Sequence, residues 1–206
     1  MIAEHITGAI LAGGKSSRMG EDKALLELNG KSFIQQITET LQSVFHKVII
    51  ISDRGEKYQF LDLAIYQDIF KECGPLGGIH SALRNAETKK VFIVSCDLPL
   101  MTSDAIGHLV ARAHEGIIVV PSLQKRVQPL FGIYGQTCLP DLEEFLKRGQ
   151  KRVRRFVEEM GAVVLPMDSA LPVQQSEIFI NVNTAKNYRK LIEASLARYY
   201  VKQPHA

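Results

Sequence analysis

Apolar residues along this chain follow two rhythms. Short continuous runs at 6–11, 48–51, 91–94 and 117–120, with a briefer one at 63–66, alternate with stretches in which apolar positions recur at helical spacing. Runs of this length, rich in Ile and Val, read as strands buried on both faces. Phe33, Ile34, Ile37, Leu41, Val44 and Phe45 predict a helix with Ser32 as its N-cap. Ile79, Ala82 and Leu83 predict a second; Ile106, Leu109, Val110 and Ala113 a third, capped by Thr102 or Ser103. Further on, residues 130–134, 163–165 and 178–180 read as strands. Leu139, Leu142, Phe145 and Leu146 give one more helix, and Val153, Phe156, Val157 and Met160 another. Tyr188, Leu191, Ile192, Ser195, Leu196 and Tyr199 line a closing helix. Buried strands alternating with helices predict an α/β fold: a single Rossmann-like domain, mostly parallel sheet, helices on both faces.

Composition narrows the picture without redirecting it. The 206 residues are 46% hydrophobic and 23% charged, enough to build one core, and no Pro/Ser/Gly-rich linker, repeat or low-complexity segment divides them. A net charge of +3 is too slight to suggest nucleic acid as a partner. No run nears the roughly 18 apolar residues of a membrane span, and the N-terminus shows no secretory pattern. Cys73, Cys96 and Cys138 are far apart and form no CxxC, so neither a disulfide framework nor a zinc site is expected. The expected compartment is the cytoplasm.

The chemistry concentrates after the first strand, where residues 11–31 read LAGGKSSRMGEDKALLELNGK. Glycines let a backbone approach a ligand closely and turn its N–H groups toward an anion. Gly13 and Gly14, with the full positive charges of Arg18 and Lys23, read as a triphosphate cradle; the alternative is a plain turn with solvated basic side chains. A P-loop is disfavoured by register: counting back from Gly14-Lys15-Ser16, the required first glycine falls on Ala9, and Gly8 is one residue too early. No GxGxxG fingerprint is present either.

Ligands of open α/β sheets bind beyond the carboxyl ends of the strands. Gly13 follows the first strand, Ser52-Asp53 the second, Asp68 the third and Asp97 the fourth. A carboxylate facing a triphosphate calls for an intervening cation, and Mg²⁺ is suited to one or two carboxylates plus phosphate oxygens and water. Asp97 fits that part; its alternative is an Asx-turn or a helix cap. Asp68 taken by itself reads first as a loop Asx-turn. Gly74-Pro75-Leu76-Gly77-Gly78 is either a second ligand loop leading into a helix or a plain turn.

These blocks carry a resemblance. Residues 11–23 match the signature LAGGxSxRMGxDK of nucleotidyltransferases with a nucleotide-diphospho-sugar transferase-like sheet, and the chain is most similar to the molybdenum cofactor guanylyltransferases. The likeness continues through residues 24–30, 74–78, Cys96-Asp97-Leu98-Pro99, Gln128-Pro129-Leu130-Phe131 and 179–184 in the family's order. It implies transfer of GMP from GTP to molybdopterin with release of pyrophosphate. It also implies Mg²⁺ on Asp97, catalytic roles for Arg18, Lys23 and Asp97, and nucleotide contacts at Leu11, Ala12, Gly13, Gly14, Lys23, Asp68 and Asp97. One domain spans residues 1–206, with about 1–121 on the nucleotide side, about 122–200 on the acceptor side and a tail at 201–206.

Lys147, Arg148, Lys151, Arg152, Arg154 and Arg155 crowd the start of one predicted helix, where the macrodipole disfavours positive charge. An anionic partner would offset that cost. Lys151, Arg152 and Arg154 are therefore candidates for the molybdopterin phosphate, although a solvated helix or a protein contact also fits. Asn181 and Asn183, from the Asn-Val-Asn-Thr block, are candidates on the same side; the family's usual Pro and acid after this block are replaced here by Ala185 and Lys186. Partners expected from the resemblance are GTP and molybdopterin, with transient contact to cofactor-biosynthesis proteins or acceptor oxidoreductases, no nucleic acid, no membrane, and a monomer or weak homo-oligomer. A cytidylyltransferase acting on the same or a sugar- or polyol-phosphate acceptor, and a non-catalytic nucleotide-binding adaptor, stay open.

Overall fold

In the computed structural model, residues 2–13, 22–168, 178–180, 182, 187–189 and 191–193 are described. The elements run β1 (Ala3–Leu11), β2 (Glu27–Leu28), β3 (Lys31–Ser32), α1 (Phe33–Gln42), β4 (Phe45–Ile51), β5 (Ala64–Tyr66), α2 (Pro75–Asn85), β6 (Lys90–Ser95), α3 (Ser103–Val110), β7 (Ile118–Leu123), β8 (Arg126–Val127), β9 (Phe131–Gly135), α4 (Leu139–Lys147), α5 (Val153–Glu159) and β10 (Val163–Pro166). An eight-stranded sheet takes the order β10-β7-β9-β6-β1-β4-β5, with β8 paired to β7. β1 lies between β4 and β6, parallel to both. β9 inserts antiparallel between β6 and β7, so the sheet is mixed but mostly parallel.

Apolar side chains leave this sheet on both faces. Ile6, Ile10, Val48, Ile50, Phe92 and Val94 pack under α1 and α3, while Ala9, Leu11, Ile49, Ile51, Val91 and Ile93 pack under α2, α4 and α5. That alternation along each strand explains why the central strands read as continuous apolar runs.

Local chemistry sets the boundaries. Ser32 caps α1 through a reciprocal capping box: its Oγ accepts from the Gln35 N–H at 3.4 Å and Gln35 Oε1 accepts from the Ser32 N–H at 2.9 Å. The helix stops at Gln42, whereas the spacing carried it to Phe45. Phe45 opens β4 and stacks on Phe92 with centroids 5.4 Å apart. A strand's inward position happened to coincide with the next helical one. Between β2 and β3, Asn29 and Gly30 take φ of 55° and 76°, the signs a two-residue type I′ hairpin requires.

The predicted strand at 178–180 is a second correction. Ile178 and Phe179 form a short 3₁₀ turn, and Phe179 packs edge-on against Phe131 at 5.3 Å. The third predicted helix ends at Val110, with Ala113 in a separate 3₁₀ turn. Residues 187–189 and 191–193 are helical, as the closing helix required; Leu191 packs with Leu28, Phe33, Leu100 and Val182. Ser195, Leu196 and Tyr199 lie outside the described residues. Among the described residues, no helix is long and apolar enough to cross a membrane.

Candidate active site

Strand register brings the predicted residues to one edge. Leu11 pairs with Ile51 and Ser95, and Ile51 with Tyr66, so β1, β4, β5 and β6 end level with one another. Gly13, Asp53, Asp68 and Asp97 therefore leave the sheet side by side. β9 starts at the same edge, with Phe131 opposite Val94. Asp97 and Asp68 follow β6 and β5, strands that lie three intervals apart in the sheet, about 14 Å.

Lys23 opens a 3₁₀ turn, Lys23–Leu25, behind its N-cap Asp22. One Asp22 oxygen accepts from the Ala24 N–H at 3.2 Å. The Tyr58 hydroxyl donates to the same carboxylate at 3.1 and 3.2 Å, and Lys57 Nζ lies 3.3 Å from it. Asp22 stood in the signature without an assigned role, and Tyr58 was missed. Neither contact is visible in local spacing, because the partners are more than thirty residues apart.

Lys23 acts electrostatically on Asp97, at the end of β6. Burial lifts the Asp97 carboxyl above its ordinary value, and a hydrogen bond from Ser95 and the charge of Lys23 pull it partly back. Its Oδ1 is buried with no hydrogen-bond partner. The neighbouring Cys96 thiol is pushed up to about 12, chiefly by burial and by Asp97 and Asp22, so it stays protonated and is not a nucleophile at neutral pH. Thr102 accepts from the Ala105 N–H at 3.3 Å and caps α3, which leaves Asp97 free of that task.

At the other end of the crevice, Asp68 follows β5. Burial, helped by nearby Asp53 and opposed by Lys71, raises its carboxyl to about 6. Oδ1 is again buried without a partner. The Asp68 N–H donates to Asp53 Oδ1 at 3.2 Å, and Lys71 pairs with the same Asp53. The glycine block beyond it is the first turn of α2, not a loop. Gly74 turns the chain at φ 60°, ψ −148°, a conformation open only to glycine, and Pro75 then starts the helix. The Gly77 and Gly78 N–H groups donate to Gly74 O at 3.0 and 3.4 Å. A Cβ on Gly77 would lie 2.7 Å from Phe70 O, and one on Gly78 would lie 3.1 Å from Leu11. These glycines let α2 close on β1 and on the Asp68 loop.

The basic segment divides into two groups. Arg154 pairs with Glu158 at 3.1 Å, Arg155 with Glu159 at 2.7 Å, and Arg148 with Glu144 at 3.9 Å. Lys147 and Arg148 belong to the C-terminus of α4, where the macrodipole favours positive charge. The crowding at one helix start is thus smaller than the sequence suggested. Lys151 and Arg152 are exposed just ahead of α5. Since α5 leads into β10, which is parallel to β7, its start lies at the carboxyl edge of the sheet. Gly14, Arg18, Asn181 and Asn183 lie outside the described residues.

A level row of strand ends bearing two partly buried, under-partnered carboxylates, with a lysine in electrostatic reach of one of them, suits a phosphorylated nucleotide and fits the nucleotide-transferring α/β class. A family described as the MobA-like NTP transferase domain matches residues 8–164. A Carboxydothermus hydrogenoformans protein named as a probable molybdenum cofactor guanylyltransferase is 35% identical over 192 residues, 92% of this chain and 96% of that one. The crystal structure of molybdopterin-guanine dinucleotide biosynthesis protein A from Archaeoglobus fulgidus shares the fold at a TM-score of 0.78 and 20% identity, over 93% of this chain and 99% of that one. So does a Mycobacterium tuberculosis protein crystallised in complex with manganese, at a TM-score of 0.69 and 18% identity, over 92% and 98% of the two chains. The chain belongs to the MobA-like NTP transferase family and is a nucleotidyltransferase.

Proposed function

We propose that the protein transfers GMP from GTP to molybdopterin in the cytoplasm, forming the guanine dinucleotide and releasing pyrophosphate. The observation that carries the reading is Asp97, a partly buried carboxylate at the strand edge with one oxygen buried and unpartnered, within electrostatic reach of Lys23. The family membership and the name borne by the Carboxydothermus relative support the substrate pair.

In this reading, an oxygen of the pterin's terminal phosphate attacks the α-phosphorus of GTP, a new P–O bond forms, and the bond to pyrophosphate breaks. A phosphate monoester has a second pKa near 6 and is largely dianionic at neutral pH, so no general base is needed. Catalysis is then positioning and charge neutralisation. Lys23 and Arg18 neutralise phosphate oxygens, and the backbone at Leu11, Ala12, Gly13 and Gly14 seats the nucleotide. Asp68, deprotonated at neutral pH, accepts from the ring N–H and exocyclic amine of guanine. Among the described residues no cluster of three or more potential metal ligands exists. A lone carboxylate with a spare oxygen nevertheless fits Mg²⁺, which takes one or two protein carboxylates and fills the rest with phosphate and water. Asp97 would hold it, and the bound ion would supply charge to offset the triphosphate.

The acceptor belongs to the residues from about 122 to 200, with Lys151, Arg152, Asn181 and Asn183 toward its phosphate. Arg154, already paired with Glu158, contributes less than its neighbours. Residues up to about 121 carry the nucleotide. The test is Mg²⁺-dependent pyrophosphate release with molybdopterin, comparing GTP, CTP, ATP and UTP. Release with GTP alone is expected. Release with CTP instead would make the enzyme a cytidylyltransferase, and binding without release would make it an adaptor.

A further inference from the structure

The connection between β4 and β5 does more than cross from one strand to the next. Its 3₁₀ turn, Gly55–Leu61, carries Tyr58, whose ring is 1% exposed and packs in the core beneath α1. From that position its hydroxyl reaches Asp22, 36 residues earlier, at 3.1 and 3.2 Å from the two carboxylate oxygens. Burial and the Asp22 charge hold the phenol proton well above its ordinary range, so the hydroxyl is a donor at any pH the enzyme meets. Lys57 from the same turn adds its ammonium at 3.3 Å. Asp22 is 12% exposed, and with the Ala24 N–H its carboxylate has donors from three residues. Lys23 is the next residue along the chain and begins the turn that Asp22 caps.

We propose that Tyr58 and Asp22 form a brace that positions Lys23, so that the β4–β5 connection fixes the backbone origin of the phosphate-binding charge. Both are positioning residues. The inference rests on the reading of Lys23 as a triphosphate ligand. A lysine on a long flexible stem neutralises a phosphate efficiently only if its backbone origin is fixed, since ordering it on binding costs side-chain entropy. Asp22 fixes that origin by capping the turn, and Tyr58 fixes Asp22 from inside the core. The same connection begins at Asp53, which accepts from the Asp68 N–H. One segment therefore touches both Asp22, the residue behind Lys23, and the backbone of Asp68.

The test is calorimetric titration of the full chain with GTP and with guanosine, for the wild type, Tyr58→Phe, Lys23→Ala and the double variant. Supports one layer behind a binding group typically cost about tenfold or more when removed. Tyr58→Phe, which keeps the packed ring, is expected to weaken GTP binding about tenfold, leave guanosine unchanged, and add nothing in the Lys23→Ala background. Asp22→Asn serves as the second variant, with the same split between the two ligands. Wild-type GTP affinity in Tyr58→Phe, equal weakening of guanosine, or a full additional loss on top of Lys23→Ala would each overturn the brace. Should the wild type prefer CTP, the guanine reading fails, and the same cycle run with CTP and cytidine still decides the brace.

Discussion

Replacing Asp68 by Asn should make the protein more stable and less selective at once. The Asp68 carboxyl is raised from an ordinary 3.8 to about 6, first by burial and then by Asp53, with Lys71 opposing. A gap of two pKa units corresponds to about 2.7 kcal/mol of differential interaction. The group is only partly buried, and solvent screening reduces this to about 1–2 kcal/mol. The folded state holds the proton up to about pH 6, while the unfolded chain releases it near 3.8. Stability therefore falls as pH rises through that window, and the loss is complete above it. Asn carries no charge and escapes the penalty, so Asp68→Asn should raise Tm by about 2–8 °C at about pH 8 and by nothing at about pH 3. In the proposed reading the same change would leave guanine one acceptor where the carboxylate offers two. Loss of a hydrogen bond to a charged group costs about 1.5–3 kcal/mol, or about 10–100-fold in preference for GTP over the other nucleotides. Wild-type preference for GTP should likewise weaken as pH falls through about 6 and Asp68 takes up its proton. Thermal unfolding across pH, paired with GTP and ATP titrations, measures both halves. A variant less stable than wild type at about pH 8, or shifted equally at both pH values, would refute the reasoning.

Other consequences follow from the same geometry. Lys23→Ala and Asp97→Asn should each lower pyrophosphate release by about 100-fold or more while circular dichroism and Tm show a folded protein, since both act on developing charge. Lys151→Ala with Arg152→Ala should raise KM for molybdopterin about tenfold or more and leave KM for GTP unchanged. Arg154→Ala should do little to either, because its guanidinium already pairs with Glu158. Ser32→Ala breaks the capping box of α1 and should cost about 1 kcal/mol, seen as a Tm about 2–4 °C lower in thermal unfolding.

Much of this molecule was legible before its shape was known, and the parts that were not share a cause. Central strands such as β1 and β6 announce themselves because both faces are covered, so every position is apolar. Ser32 was readable as a cap because Gln35, its partner in the capping box, lies three residues away. The positions of Gly13, Asp68 and Asp97 followed from the rule that places ligands at strand ends, and the register places those ends level. What local spacing hides is partnership at a distance. Phe45 sits on helical spacing but is claimed by β4 through Phe92, nearly fifty residues on. Residues 178–180 have strand composition, yet Phe179 turns inward to meet Phe131. Gly77 and Gly78 looked like loop residues, but their neighbours Phe70 O and Leu11 show that they make room for close packing of a helix. Asp22 and Tyr58 meet only because the chain crosses between β4 and β5.

The central claim concerns the product, and its most direct test is to identify that product. Purified protein, Mg²⁺, molybdopterin and GTP labelled at the α-phosphate would be incubated and the pterin fraction examined by mass spectrometry. The account predicts a pterin heavier by one GMP, carrying the label in a pyrophosphate linkage, and absent with Asp97→Asn. Label recovered only as free GMP or GDP, or a pterin bearing CMP when both nucleotides are offered, would contradict it.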